Sequence, residues 1–300
     1  MNGILNLHKP VGPTSFDMVR RVKQLTGVKR VGHGGTLDPR ASGVLPVLLG
    51  QATRVSDFLL SASKAYRAVV RLGIATDTYD SEGKIVSEAD PSGVTREQAI
   101  AALDRFRGLI PQTPPMYSAL KHRGKRLYQL ARAGVEVERK PRSVHVYDIR
   151  LTEWAPPRLT IEVECGRGTY IRSLAHDLGI ALGCGAHLEA LTRLRVGPFS
   201  LVQALTTEEL LDAVHGEYLP ERIYAMDWVM LHLPAAILSA EEEQAVRFGQ
   251  ALSYDGDASE AQGSLPVRAY GQAGDLIGLL QLDQDHGGLH PVTVFPAPEA

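Results

Sequence analysis

The stretch Gly32-His33-Gly34-Gly35-Thr36-Leu37-Asp38-Pro39-Arg40-Ala41-Ser42-Gly43 places a single carboxylate in a loop that glycines and a proline punctuate. Between Met18 and Ser56, Asp38 is the only acidic residue, and the other charged side chains are basic. These cations are Arg20, Arg21, Lys23, Lys29, Arg30, Arg40 and Arg54. Glycine lets a backbone approach a ligand closely, and Pro39 stiffens the chain after the acid. The loop fits either an ordinary Asp-Pro turn or a reactive acid placed where a polyanion binds.

Composition places the chain among soluble globular proteins. Its 300 residues are 44% hydrophobic and 22% charged, enough for one large domain or two smaller ones. No apolar run approaches the length of about 18 residues that crosses a bilayer, and the N-terminus has no signal-peptide pattern. Cys165 and Cys184 have no metal-ligand spacing, which disfavours a zinc site and a disulfide framework. We therefore expect a cytoplasmic protein with no membrane association and no metal.

The net charge of −2 conceals a division between two parts of the chain. Residues 231–300 hold two basic groups and ten acids, a charge of −8, so residues 1–230 carry +6. Basic residues are densest in segment 121–142, which has eight cations and two acids. The cations are Lys121, Arg123, Lys125, Arg126, Arg132, Arg139, Lys140 and Arg142. Such a cluster is typical of phosphate binding by nucleic-acid partners, and also of an exposed segment kept soluble by charge.

Two helices are predicted from capping residues. Thr14, with Asp17 three residues later, is typical of a helix N-cap, and the apolar spacing carries that helix to about Leu25. Thr95 with Gln98 predicts a second helix in the same way.

Other patterns predict strands and one further helix. Residues 65–72 and the strictly alternating residues 159–165 are typical of strands, and residues 171–182 have helical spacing. A small β-rich segment is expected after about Leu231. Because strands and helices follow no regular alternation, the pattern favours an α+β fold.

Five segments of the sequence resemble, in order, the motifs of one enzyme family. They are Lys9-Pro10-Val11-Gly12-Pro13-Thr14-Ser15; the opening stretch 32–43; Lys64-Ala65-Tyr66-Arg67 with Leu72-Gly73 and Thr76-Asp77-Thr78; Pro115-Met116-Tyr117-Ser118-Ala119-Leu120-Lys121; and Gly166-Arg167-Gly168-Thr169-Tyr170-Ile171-Arg172-Ser173-Leu174. Over residues 1–230 the chain is similar to the bacterial tRNA pseudouridine-55 synthases of the TruB family. Two positions depart from the family pattern: Gly34, where the family more often has Thr, and Arg40, often a Leu.

The resemblance implies a particular architecture. It is the α+β pseudouridine synthase fold, with a mixed, mostly antiparallel sheet crossed by a cleft. Residues 1–230 would form the catalytic domain, with a basic RNA-binding insertion at about residues 116–143. Residues 231–300 would form a small, acidic, PUA-like β-barrel.

The resemblance also implies a reaction. The family detaches a uracil base from its ribose, rotates it and rejoins it through carbon, at position 55 in the T-loop of tRNA. Because a base inside a folded T-loop is inaccessible, the uridine must be flipped out. Asp38 would be the catalytic carboxylate, acting as a nucleophile on the sugar or base or removing a sugar proton. No cofactor is implied.

The remaining site residues are implied by the same motifs. Arg172 would pair with Asp38, and Asp80 would hold Arg172 from the other side. Tyr66 would stack on the flipped base and take a proton from it, while His33 would fill the space that the base leaves. The other implied roles are substrate binding at Tyr170, an apolar wall of the base pocket at Leu191, phosphate contacts at Arg54 and Lys121, and structural support at Lys9 and Pro10.

The expected partner is tRNA, bound at its T-loop and elbow by a monomer that needs no protein partner. One alternative is an RNA chaperone that refolds the tRNA elbow, alone or in addition to catalysis. The combination of Asp38, Tyr66 and Arg172 favours an enzyme, because unfolding RNA needs no carboxylate. A hydrolase based on Asp38 is disfavoured, since no second acid or metal cluster lies near it in the sequence.

Overall fold

The strand-forming patterns pair into one large mixed sheet that carries the Asp38 loop. The computed structural model describes residues 1–118, 120–122, 124–135, 137–253, 265–283 and 288–296. In chain order the strands are β1 Gly3–Lys9, β2 Val31–His33, β3 Ala41–Leu49, β4 Lys64–Leu72, β5 Ile74–Thr76, β6 Ile85–Glu88, β7 Gly108–Gln112, β8 Lys121–His122, β9 Lys125–Arg126, β10 Arg142–Ala155, β11 Arg158–Cys165, β12 Ala186–Val196, β13 Phe199–Ser200, β14 Ile223–Tyr224, β15 Ala235–Ile237, β16 Val267–Tyr270, β17 Leu276–Leu282 and β18 Leu289–Val294.

Helices join these strands at irregular intervals. They are α1 Ser15–Thr26, α2 Ser56–Ser61, α3 Arg96–Asp104, α4 Leu127–Arg132, α5 Ile171–Ala181, α6 Thr207–His215 and α7 Ala240–Arg247, with 3-10 turns at Gly50–Val55, Leu201–Gln203, Leu219–Arg222 and Met226–Met230. None of the helices in the described ranges is long and apolar enough to span a bilayer.

The large sheet is antiparallel except at its centre. Its main path runs β14-β1-β3-β12-β4-β11-β10-β7, with β2 attached to β3 and β13 to β12. The β3–β12 pair is parallel and sets Leu191 opposite Ala41 and Arg193 opposite Gly43. The predicted mixed, mostly antiparallel α+β fold is confirmed. Because β3 begins immediately after the Asp38 loop, this parallel junction determines where the loop lies in the fold.

The predicted helix starts are confirmed by their hydrogen bonds. At α1 the Thr14 side chain accepts from the backbone of Asp17, whose carboxylate accepts from the backbone of Thr14, which is a complete capping box. Thr95 and Gln98 form the same reciprocal arrangement at α3. These local contacts satisfy backbone N–H groups that a helix leaves unpaired, so the starts can be predicted without knowledge of the tertiary structure.

Separate apolar clusters cover the two halves of the sheet. In one, α1 and α6 pack with β1 and β3 through residues such as Met18, Val22 and Leu210. In the other, α3 and α5 pack with β4, β10, β11 and β12, and Leu174 and Leu178 lie in this core. The Asp38 loop lies between these halves, at the junction of β3 and β12.

The basic segment and the acidic tail are both separate features of the fold. The hairpin β8–β9 and helix α4 are inserted between β7 and β10. In the tail, the described residues form a four-stranded sheet in the order β15-β16-β17-β18. Leu279 and Phe295 of this tail pack with Ile4 and Val44 of the large sheet. Within those described residues β15 and β18 do not pair, so the expected barrel is seen only as an open sheet.

Gly43 gives a test of the central junction. A Cβ at this position would lie 2.2 Å from the carbonyl oxygen and 2.6 Å from the nitrogen of Arg193, at a φ of +112°. Both contacts are with backbone, so relief would require the parallel β3–β12 pair to separate. We predict that Gly43→Ala lowers the free energy of unfolding by more than about 2 kcal/mol in urea denaturation.

The matched control is Gly93→Ala, because a Cβ there would meet nothing within 4 Å and the backbone is not left-handed. That variant should unfold within about 0.5 kcal/mol of the wild type. Equal stabilities for the two variants would show that the junction tolerates separation.

Candidate active site

The loop that carries Asp38 is held on both sides by the N-terminal segment. The Ser15 hydroxyl accepts from the Leu37 N–H at 2.8 Å and donates to the Leu37 carbonyl at 3.1 Å. On the other side of the acid, the Gly12 N–H donates to the Pro39 carbonyl at 2.8 Å. The backbone of Asp38 is therefore fixed by its neighbours, while its side chain remains about half exposed, at 48%.

Arg172 is the group that joins the predicted residues. Its Nη2 lies 3.0 Å from Oδ2 of Asp38 and donates to the Tyr117 carbonyl at 2.7 Å, and its Nη1 lies 3.3 Å from Oδ2 of Asp80. The Arg172 side chain is only 10% exposed. One buried guanidinium thus connects helix α5 with the Asp38 loop, the Asp80 turn and the Tyr117 carbonyl, which precedes strand β8.

Asp80 is held independently of Arg172. Its Oδ1 accepts from the Thr78 hydroxyl at 2.6 Å and from the Glu82 N–H at 3.1 Å, which leaves Oδ2 for Arg172. Tyr79 before it has a φ of +64°, a left-handed conformation that non-glycine residues rarely adopt. Its ring stacks on His176 at 3.9 Å between centroids.

Lys9 supports the loop from beneath. It is fully buried, and its ammonium donates to the carbonyls of Pro10 at 2.8 Å and Pro39 at 3.3 Å. Burial lowers the pKa of Lys9 to about 8, although the negative charge of Asp38 opposes this shift. The Lys9 ammonium therefore joins Pro10 to Pro39, next to the acid, and the supporting role of Lys9 and Pro10 stays a prediction.

Tyr66 lies behind the same loop. Arg193 lies there too, although it was not identified from the sequence. Arg193 is 1% exposed and donates to the carbonyls of Val44 at 2.7 Å, Gly35 at 3.1 Å and Thr36 at 3.3 Å. It also hydrogen-bonds with the side chain of Tyr66, directly opposite on β4. Burial raises the pKa of Tyr66, and the Arg193 charge opposes that shift.

The strand pattern held a weak signal for Arg193. Alternation puts it on the same side of β12 as Leu191, which was assigned to the base pocket. An arginine in a strand is far more often exposed, so this position alone did not single it out.

Tyr170 lies at the point where the chain enters α5. It is extended, with φ −103° and ψ 111°, whereas Arg172 is already helical. The side chain of Gln112 accepts from the Tyr170 N–H at 2.7 Å and donates to its carbonyl at 3.0 Å. Gln112 was not identified from the sequence, because its partner Tyr170 is 58 residues away in the chain. Burial raises the pKa of Tyr170.

His33 lies at the start of the loop, at the end of β2. Its Nδ1 accepts from the Gly35 N–H at 3.3 Å. The pKa of His33 is lowered, mainly by burial and to a smaller extent by the positive charge of Arg193. This lowered pKa favours the neutral form of the ring at physiological pH. Within the described ranges, no group of three or more His, Cys, Asp or Glu residues is arranged to hold a metal ion.

Comparison with known proteins decides the family. A model described as the TruB family pseudouridylate synthase N-terminal domain matches residues 23–171, and one for the tRNA pseudouridylate synthase B C-terminal domain matches residues 172–233. A tRNA pseudouridine synthase B of Dehalococcoides mccartyi is 45% identical over 100% of both chains. The chain belongs to the TruB family. It is therefore a pseudouridine synthase, an isomerase.

Other TruB relatives extend the comparison. A tRNA pseudouridine synthase B of Thiobacillus denitrificans is 44% identical over 94% of this chain and 93% of its own. Among solved structures, a chain from the crystal structure of a Cbf5-Nop10-Gar1 complex superposes with a TM-score of 0.76 at 32% identity, covering 98% of this chain and 84% of that one.

Two of the predicted site residues do not join the group around Asp38. Arg54 turns towards the C-terminal sheet, where its guanidinium donates to the Val294 carbonyl and lies 5.7 Å from the Phe295 ring centre. Lys121 lies in β8, and its side chain is outside the described part of the structure. The phosphate contacts of both stay predictions.

Both departures from the TruB motif have a structural setting. A Cβ at Gly34 would lie 2.4 Å from Cδ1 and 2.8 Å from Cβ of Leu59, so a threonine there would require Leu59 to move. Arg40 pairs with Glu82 at 2.9 Å, which links the Asp38 loop to the Asp80 turn. This pair is exposed and adds little stability.

The buried ammonium of Lys9 predicts a pH dependence of stability. Its folded pKa of about 8 lies below the ordinary lysine value of 10.5, so the unfolded chain binds more protons between these two values. The Lys9 contribution to the free energy of unfolding therefore rises with pH across that window. We predict that the stability difference between wild type and Lys9→Met shifts in favour of the wild type from pH 8 to pH 10, measured by urea denaturation.

Subtraction of the Lys9→Met curve removes the titration of the other groups. A stability difference between the two proteins that stays constant, or that falls as the pH rises, would contradict the lowered pKa of Lys9.

Proposed function

We propose that this chain isomerises uridine to pseudouridine at position 55 in the T-loop of tRNA, with Asp38 as the catalytic carboxylate. The observation that carries the proposal is the buried Arg172, which holds the half-exposed Asp38 beside Asp80. The names of the full-length relatives support tRNA as the substrate.

Base flipping follows from the geometry of a folded T-loop. A uridine stacked inside the loop cannot reach a carboxylate on a protein surface, so its base must leave the stack. Tyr66, Tyr170 and Leu191 are the proposed walls of the pocket that receives it. His33, neutral and at the mouth of the loop, is the proposed replacement for the base within the RNA stack.

The reaction is balanced without a co-reactant. The bond between ribose C1′ and base N1 breaks, the base rotates, a bond forms from C5 to C1′, and the proton on C5 moves to N1 through solvent or side chains. Product and substrate contain the same atoms at the same oxidation level. Asp38 acts either as a nucleophile that forms a covalent intermediate or as the base that removes a sugar proton.

In either route, Arg172 orients the Asp38 carboxylate through their ion pair. A guanidinium offers several donors in one plane, so it can hold two carboxylates and a carbonyl together. Tyr66 is the proposed relay for the C5 proton: its phenol oxygen takes this proton as the phenol's own proton passes to solvent. Asp80 positions Arg172.

The rest of the molecule supplies the proposed RNA-binding surface. The basic insertion between β7 and β10 carries the cations that would contact phosphates, and these contacts weaken as salt rises. We assign the acidic C-terminal segment a PUA-like role with a minor share of phosphate binding, because its charge is −8. The free cysteines Cys165 and Cys184 support a cytoplasmic enzyme, which we propose acts as a monomer.

The test uses tRNA labelled with tritium at C5 of uracil. We predict that Asp38→Asn binds this tRNA with unchanged affinity and releases tritium at least about a thousandfold more slowly than wild type. The amide has the shape of the carboxylate but neither its charge nor its nucleophilicity.

Asp57→Asn is the matched control, because Asp57 is an exposed aspartate on α2. It should release tritium at the wild-type rate. Full activity in Asp38→Asn would show that Asp38 is not the catalytic carboxylate. If Asp38→Asn still refolds a disrupted tRNA elbow, the molecule has an additional chaperone role.

A further inference from the structure

Arg193 is a buried cation whose partners carry no formal negative charge. Its hydrogen bonds among the described residues are with three backbone carbonyls and the Tyr66 side chain. A charge taken out of water is unfavourable unless a counter-ion compensates it. An apolar side chain of similar volume would fill the same space without that penalty, so packing alone does not account for an arginine here.

The three carbonyls lie on both sides of Asp38. Gly35 and Thr36 precede the acid, and Val44 follows it on β3. A single guanidinium therefore holds the start of the loop to the strand into which the loop leads. This is possible because its donors point in fixed directions within one plane.

The Arg193 guanidinium also contacts Tyr66, which is a proposed wall of the base pocket. Arg193 and Tyr66 are register partners across β12 and β4, and their side chains hydrogen-bond. On the other side, Gly43 lies against the Arg193 backbone, close enough that a Cβ would overlap it. Arg193 thus contacts the Asp38 loop and the Tyr66 strand at once.

We propose that Arg193 is a positioning residue, which holds the Asp38 loop and Tyr66 at a fixed separation across the base pocket. The inference deepens the proposed function and rests on it, because it assumes that Asp38 and Tyr66 act on the same flipped base. Arg193 itself is too deeply buried to touch the substrate.

Arg172 and Arg193 divide the work of holding the site. Arg172 binds the carboxylate of Asp38 and determines where its oxygens point. Arg193 binds the backbone of the loop and determines where the whole residue lies relative to Tyr66. An error of about 1 Å in such an arrangement slows a reaction by up to about a hundredfold, even where binding is unaffected.

The test is a single-turnover measurement of tritium release by Arg193→Lys. A lysine keeps the positive charge, but one ammonium cannot hold three carbonyls and a phenol in the arginine geometry. We expect the rate constant to fall at least about tenfold, with tRNA affinity within about twofold of wild type. The amplitude of the turnover should stay at its wild-type value.

The amplitude distinguishes positioning from a merely structural role. A variant that is partly misfolded lowers the fraction of active enzyme and hence the amplitude, while the folded fraction keeps the wild-type rate constant. Arg195→Lys is the matched control, since Arg195 lies two residues along β12, is 33% exposed and pairs with Glu164. It should keep both the rate constant and the amplitude.

Arg193→Gln is the second variant, and circular dichroism scores its folding. It removes the charge and keeps an amide donor, so we expect a rate constant no higher than that of Arg193→Lys. A wild-type rate constant in either variant, a loss of amplitude alone, or failure of both variants to fold would overturn the positioning role. An active Asp38→Asn would instead overturn the proposed function on which this inference rests.

Discussion

The contact between Arg172 and Asp38 is the interaction on which the arrangement of the site depends. Arg172 is nearly buried, so its charge is poorly screened by water and its ion pairs are stronger than pairs on the surface. It binds Asp38, Asp80 and the Tyr117 carbonyl, which come from separate parts of the chain. Without the guanidinium, two carboxylates would face the same space with no cation between them. Their like charges would then repel each other, and the Asp38 carboxylate would lose the partner that orients it.

The sheet explains why those parts of the chain can meet. The parallel β3–β12 pair joins a half covered by α1 and α6 to a half covered by α3 and α5. Asp38 comes from the first half and Arg172 from the second. A loop at this junction is therefore reached by side chains from both halves, and it is held from beneath by Lys9 and Arg193. Within this frame the Asp38 side chain stays about half exposed, at 48%.

Local chemistry made much of the fold predictable from the sequence. The capping boxes at Thr14 and Thr95 and the alternation over residues 159–165 depend on neighbours in the chain, and the structure has these elements where they were expected. The site was predictable in a different way. Local composition around Asp38 fits a turn equally well, and only the ordered motifs of a family pointed to Arg172 as its partner.

The other features of the site could not be predicted from the sequence, because they depend on contacts between distant segments of the chain. Arg193 is an arginine in a strand, a residue type that is far more often exposed than buried beneath a loop. The two hydrogen bonds between Gln112 and Tyr170 join residues 58 positions apart. The guanidinium of Arg54 contacts Val294 and Phe295, which lie 240 residues and more beyond it, while its predicted phosphate contact stays a prediction. No local pattern reports where the tail of the chain returns to the large sheet.

The most direct measurement is a crystal structure of the chain bound to a T-loop RNA hairpin with 5-fluorouridine at the target position. Fluorine at C5 blocks the loss of a proton from that carbon, so the complex should stop before product release. We predict a fluorinated base flipped out of the loop and stacked on Tyr66, with its ribose or ring in contact with the Asp38 carboxylate and with Arg172 still paired to Asp38. A fluorinated base that remains stacked within the RNA, or that binds away from Asp38, would contradict a catalytic role for Asp38.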